Sequence, residues 1–181
     1  MIDVVFITGN EHKAKQLSQW LGINIEHQKV DLDEIQSLDL REVVGHKARQ
    51  AYEATKRPVI VEDVAMVFAA FKQLPGPFIK WFEKGSGLEV MCRMLNAFDD
   101  RRAEAHTMYG LYDGETLHCF EGTMRGTIAL APRGSHGFGF DPIFINEGQL
   151  LTRGEMDEET YSRTSYRQEA LAELRKFLQK T

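Results

Sequence analysis

The sequence predicts a mixed α/β fold, and three observations carry that reading. Short apolar runs alternate with amphipathic helical stripes through the first third of the chain. Two long strand-like segments then flank Asp113–Gly114, a dipeptide that favours a tight hairpin. An amphipathic helical stripe closes the sequence. Alternation alone would give a parallel sheet, and the hairpin adds antiparallel strands to it.

Taken in order, Val4 to Ile7 is a short apolar run ending at Thr8–Gly9–Asn10, which reads as a buried strand entering a turn. Ala14, Leu17, Trp20 and Leu21 then share one helical face, and Gly22 is a natural stop. Ile23 to Val30 is a second candidate strand. Asp39 and Glu42 form a candidate capping box for a helix with the stripe Leu40, Val43, Val44, Ala48 and Ala51. Val59 to Val61 predicts a third strand that ends at Glu62–Asp63. Pro75–Gly76–Pro77 predicts a stiff loop, and Leu88 to Leu95 a helix. Ala103 to Tyr112 and Thr116 to Glu121 are the hairpin strands, with a further strand expected at Gly126 to Leu130. Pro132 to Pro142 is a Gly-rich loop. The last helix is expected to start at Ser165, with Gln168 completing a capping box, and to bury Leu171, Leu174, Phe177 and Leu178.

Composition narrows the class. The 181 residues are 43% hydrophobic and 27% charged, which excludes a disordered or collagenous chain. No linker or repeat divides them, so residues 1–181 are read as one domain, two-lobed at most. The balance of 22 basic against 27 acidic residues gives a net charge of −5, without the basic excess of a nucleic-acid-binding domain. The longest apolar run, Val64 to Phe71, is far short of the roughly 20 residues of a spanning helix. The N-terminal stretch carries no signal-peptide pattern, so a cytoplasmic location is expected. Cys92 and Cys119 read as small buried hydrophobes, not a disulfide.

Five features could carry chemistry. Thr8, Gly9 and Asn10 turn the chain into a helix whose first turn holds Lys13, and backbone N–H groups there favour a phosphate. Glu62 and Asp63 follow a buried strand, where hard carboxylate oxygens suit Mg²⁺, and Glu34 is a possible third ligand. Lys13, Lys47 and Lys80 are candidate phosphate partners, the last in an aromatic setting. Phe138, Gly139, Phe140 and Asp141 form a Gly-flanked aromatic stretch on which a base could stack. Arg167 begins the last helix with a planar fork of donors. No zinc spacing and no GxSxG nucleophile motif is present.

Together these features resemble the inosine triphosphate pyrophosphatase family. The resemblance runs from Phe6 to Leu174 and rests on Thr8–Lys13, Val61–Asp63, Leu74–Phe82, Ala131–Gly134 and Phe138–Pro142. It implies an elongated mixed sheet flanked by helices that form two lobes around a central cleft, usually in a homodimer. It implies Mg²⁺-dependent hydrolysis of purine triphosphates such as ITP, dITP and XTP to the monophosphate and pyrophosphate. Thr8, Gly9, Asn10 and Lys13 would hold the triphosphate, with Lys47 and Lys80 neutralising its charge. Glu34 and Asp63 would bind the metal with Glu62 beside them, and Asp63 is the candidate base. Phe138 to Asp141 would frame the purine and Arg167 would read it.

The sequence departs from the family at two base-side positions. Tyr161 stands where a Lys is expected, and Tyr166 replaces a His. Each keeps a hydroxyl and a stacking face but lacks the cation or ring nitrogen. Arg153 or Arg163 is available to supply the missing charge. The alternatives are the same chemistry on another canonical or modified nucleotide, and a nucleotide-binding protein without turnover.

Overall fold

A computed structural model describes residues 3–180 of the chain. It contains a seven-stranded mixed sheet, in the order β2-β1-β3-β5-β6-β7, with β4 pairing on β3. The strands are β1 (Val5–Ile7), β2 (Glu26–Gln28), β3 (Val59–Phe68), β4 (Pro75–Gly76), β5 (Arg102–Tyr112), β6 (Leu117–Ile128) and β7 (Phe144–Asn146). The helices are α1 (Glu11–Leu21), α2 (Leu40–Thr55), α3 (Ile79–Ser86), α4 (Leu88–Met94), α5 (Glu158–Arg163) and α6 (Gln168–Lys180). β1 runs parallel to both β2 and β3, whereas β4 and β7 pair antiparallel with β3 and β6.

The chain forms two compact units. The first comprises residues 3–63, 107–122 and 167–180, and the second residues 64–106 and 123–166. In the first, Ala14, Leu17 and Leu21 of α1 share a buried cluster with Leu171, Leu174 and Leu178 of α6 and with Phe6 and Ile60. Each of the leucines and Ile60 contributes about 2 kcal/mol on burial. In the second unit, Met66, Phe68, Ile79, Met91, Leu95, Phe140, Ile143 and Phe144 form a separate core.

Local chemistry explains the helix ends. Asn10 caps α1, and Gly22 stops it at φ 67°, a conformation that costs glycine little. Asp39 caps α2 through the N–H groups of Arg41 and Glu42. The expected reciprocal bond from Glu42 does not form. Its carboxylate accepts the Ser37 hydroxyl at 2.6 Å, and that hydroxyl oxygen accepts the Asp39 N–H.

Several elements differ from the sequence reading. β3 does not stop at Glu62–Asp63 but continues to Phe68, because Val64 to Phe68 carry on the apolar pattern. The two acids are therefore mid-strand. The second candidate strand shrinks to the three exposed residues of β2, at the edge of the sheet. Pro75 and Gly76 are not loop but the short strand β4, opposite Val67 and Met66. The strand expected at Gly126 to Leu130 is the end of β6. The last helix begins at Gln168, three residues beyond Ser165. β7, α3 and α5 were not anticipated.

Gly110 on β5 allows α2 to lie close to the sheet. A Cβ at that position would stand 2.5 Å from Val44 Cγ1 and 3.5 Å from Val61 Cγ2. Gly110→Ala is expected to lower stability by about 2 kcal/mol through overpacking. Chemical denaturation with an unchanged midpoint would refute this tight approach.

Candidate active site

The turn after β1 builds the first part of the site. Thr8 Oγ1 accepts the Asn10 N–H at 3.1 Å. Asn10 Oδ1 in turn accepts the N–H groups of His12 and Lys13 at 3.0 and 3.3 Å. These bonds fix the start of α1 and set the direction in which Lys13 leaves the helix. Gly9 lies exposed beside the Lys29 side chain.

A cation in the first turn of a helix opposes the macrodipole. Lys13 has an internal anion to offset this, since its Nζ lies 3.5 Å from Glu62 Oε1. The same oxygen accepts Arg167 Nε at 2.9 Å, and Thr107 Oγ1 donates to it at 3.4 Å. The Glu62 and Arg167 side chains are 1% and 2% exposed. One buried carboxylate thus holds two cations, and the trio carries a net charge of +1.

Asp63, the next residue of β3, makes a separate ion pair. Asp63 Oδ2 accepts Lys47 Nζ of α2 at 2.9 Å, with both side chains less than one-fifth exposed. Glu34 is exposed in the segment after β2, and its charge acts on Lys47.

The electrostatics follow from this sharing. Burial drives the Lys13 pKa below its ordinary value; the charge of Glu62 opposes this, and the like charges of Arg167 and Lys47 add to it. Burial alone would raise the pKa of Glu62, but the charges of Lys13 and Arg167 and their hydrogen bonds hold it low. Burial likewise opposes the charge on Lys47, but the charge and hydrogen bond of Asp63, with Glu34 and Glu62 adding, raise its pKa.

In the second unit Asp141, Arg153 and Tyr161 form a buried network. Asp141 Oδ1 accepts Arg153 Nε at 2.9 Å, while Oδ2 accepts the Phe138 N–H and the Tyr161 hydroxyl at 2.9 and 2.8 Å. Phe140 stacks on Tyr166 with centroids 5.8 Å apart. Phe138 and Gly139 are partly exposed. Lys80, in the first turn of α3, is exposed with its Nζ 5.4 Å from the centroid of the Trp81 ring.

The structure therefore brings Lys13, Lys47, Glu62, Asp63 and Arg167 together in the first unit, with Glu34 within electrostatic reach and Thr8, Gly9 and Asn10 opening α1. It gathers Phe138, Phe140, Asp141, Tyr161 and Tyr166 in the second. The Arg167 Nε is engaged by Glu62. Thr107 was missed. A threonine in an alternating strand carries no sequence signal for this contact. Arg153 had one, in the two tyrosines that offer it ring faces.

Among the described residues no group of three or more His, Cys, Asp or Glu is placed to hold a metal alone. Hard carboxylate oxygens nonetheless suit a hard divalent cation, which ordinarily takes one or two carboxylates together with substrate phosphates. Glu34, Glu62 and Asp63 are balanced by Lys13, Lys47 and Arg167, so the cluster is formally neutral. Such a donor set fits a cation that arrives with an anionic substrate.

The model of the Ham1 family matches residues 4–177. The chain is 39% identical over 180 residues to the inosine triphosphate pyrophosphatase of Schizosaccharomyces pombe, covering 97% of this chain and 95% of that one. It is 35% identical to the dITP/XTP pyrophosphatase of Saccharolobus solfataricus, covering 98% and 94%. The structure of a HAM1 protein from Coxiella burnetii superposes with a TM-score of 0.88 at 26% identity, covering all of both chains.

Removing one partner of a buried ion pair leaves an uncompensated charge, and Glu62→Gln would leave two. The variant is expected to lose about 3–5 kcal/mol of stability. The folded pKa of Glu62 lies below its ordinary 4.5. Its contribution is therefore complete above that pH and is lost as pH falls through the depressed value. Denaturant titrations from neutral pH downward check both, and a Glu62→Gln deficit that does not shrink on acidification would contradict the linkage.

Proposed function

The chain belongs to the Ham1 family, and on that premise we propose that it hydrolyses non-canonical purine nucleoside triphosphates to the monophosphate and pyrophosphate. ITP, dITP and XTP are the substrates this reading names. The observation that carries it is the buried trio of Lys13, Glu62 and Arg167, with the Lys47–Asp63 pair on the neighbouring residue of β3.

Phosphoryl-group chemistry is mostly positioning and charge stabilisation. The net positive trio presents Lys13 to the triphosphate beside the turn of Thr8, Gly9 and Asn10. Lys47 lies on Asp63 Oδ2 and can pass to a phosphate oxygen. That frees the Asp63 carboxylate to accept a proton from water. The water oxygen forms a bond to the α-phosphorus, and the bond from that phosphorus to the bridging oxygen breaks. Pyrophosphate leaves with the electron pair, and Lys13 and Lys47 stabilise the charge that develops on it.

A divalent cation, assigned here as Mg²⁺, would be held by Asp63 and Glu34 with Glu62 alongside, and when bound supplies phosphate neutralisation and water activation. Lys80 is assigned to phosphate charge, Phe138, Gly139, Phe140 and Asp141 to framing the base, and Tyr161, Tyr166 and Arg167 to its recognition. A homodimer and a cytoplasmic location belong to the same proposal. No described helix is long and apolar enough to cross a membrane.

One observation favours a second reading of the base. Tyr161 and Tyr166 are 3% and 4% exposed, and the Tyr161 hydroxyl is committed to Asp141. The base edge would then be read by different groups, and a canonical or modified nucleotide becomes the substrate.

A triphosphate panel with Mg²⁺, scored for pyrophosphate, separates these readings. Preference for ITP, dITP or XTP supports the first, and preference for a canonical triphosphate supports the second. In either case Asp63→Asn is expected to lower kcat by about 10²–10⁴-fold, the range for loss of a general base. An unchanged rate would remove Asp63 from that role.

A further inference from the structure

The base-side network of the second unit is organised by a residue to which the proposed reaction assigns no role. Arg153 is fully buried, at 0% exposure. Its Nε donates to Asp141 Oδ1 at 2.9 Å, and Nη1 donates to the Thr164 carbonyl at 3.0 Å. Nη2 donates to the Tyr161 carbonyl at 3.4 Å. The guanidinium carbon lies 4.2 Å from the centroid of the Tyr161 ring and 5.4 Å from that of Tyr166.

One planar fork thus joins the Gly137–Asp141 turn, helix α5 and the stretch leading to Tyr166. No compact ammonium could do this, because the contacts need several donors in one plane and a flat face for the rings. The loop it fixes is costly to order without help. Gly137 and Gly139 have φ of 75° and 63°. Both oxygens of Asp141 are used inside the network, Oδ1 by Arg153 and Oδ2 by the Phe138 N–H and the Tyr161 hydroxyl. Asp141 is itself 1% exposed. The carboxylate is therefore a peg that holds the Phe138 backbone in place, while Phe138 and Gly139 are partly exposed.

We propose that Arg153 is a positioning residue for base recognition: it holds Asp141 and Tyr161 so that the Phe138–Gly139 segment presents a preformed platform to the purine. It supplies from a buried site the positive charge that Tyr161 cannot carry. This rests on the reading of the chain as a purine nucleotide enzyme, and it adds a residue that acts only through its neighbours.

The test uses two ligands of the full-length protein, inosine monophosphate, which carries a base, and pyrophosphate, which does not. Binding of each is measured by calorimetry with Mg²⁺ present. Arg153→Lys keeps the charge but loses the fork and the ring contacts. It is expected to weaken inosine monophosphate binding at least about tenfold, the change expected when several donors of one fork and its ring contacts are lost, and to leave pyrophosphate binding within about twofold. Tyr161→Phe keeps the ring but removes the hydroxyl to Asp141, and is expected to act in the same direction with smaller effect. It remains readable if Arg153→Lys does not fold. Equal loss for both ligands would mean a general structural effect and would overturn the proposal. So would unchanged inosine monophosphate binding, or none by the unaltered protein. Failure of the reaction itself would show separately, as no pyrophosphate released from any triphosphate.

Discussion

The Glu62 carboxylate is the constraint on which the first unit depends. It is buried in mid-strand, where an isolated ionised carboxylate would be strongly disfavoured. Its charge is tolerated only because Lys13 and Arg167 meet it on one oxygen, with Thr107 completing the shell. Those partners come from α1, from the residue preceding α6 and from β5. Packing of Leu17 and Leu21 against Leu171, Leu174 and Leu178 holds the two helices where both cations can reach Glu62. The apolar core and the charged trio therefore support each other. One anion between two cations leaves a surplus positive charge on the trio.

The two units use the same device for different ends. Glu62 and Asp141 are both buried carboxylates held by an arginine Nε at 2.9 Å. Both are buried, and each fixes the position of something else. Glu62 sets Lys13, whereas Asp141 sets the Phe138 backbone and the Tyr161 ring. The carboxylates that solvent can reach, Asp63 in part and Glu34 more fully, are the ones suited to exchanging Lys47 for a cation or a proton. Burial thus separates acids locked between fixed partners from acids open to solvent.

Local features were legible in the sequence, and long-range pairing was not. The strand ending at Ile7, the turn at Thr8–Gly9–Asn10 and the stop at Gly22 are written in adjacent residues, as are the apolar stripes of α1 and α2. The hairpin at Asp113–Gly114 was equally clear. Glu62–Asp63 was misread as a strand end because two charges normally mark an exit from the core. β3 continues because partners far along the chain neutralise them, and Arg167 lies 105 residues from Glu62. Lys13, Lys47, Glu62 and Asp63 could be grouped from motif order, but their division into a buried trio and a part-exposed pair needed coordinates. α3 and α5 escaped notice because one lies in an aromatic block and the other has only six residues.

The central claim is that the cluster around β3 is balanced in charge and gains its cation together with the triphosphate. Calorimetric titration with Mg²⁺, in the absence and presence of a non-hydrolysable inosine triphosphate analogue, tests it most directly. The account predicts saturable Mg²⁺ binding only with the analogue bound. Tight, saturable binding of Mg²⁺ by the protein alone would contradict it, because three ammonium and guanidinium groups would then not be balancing the three carboxylates.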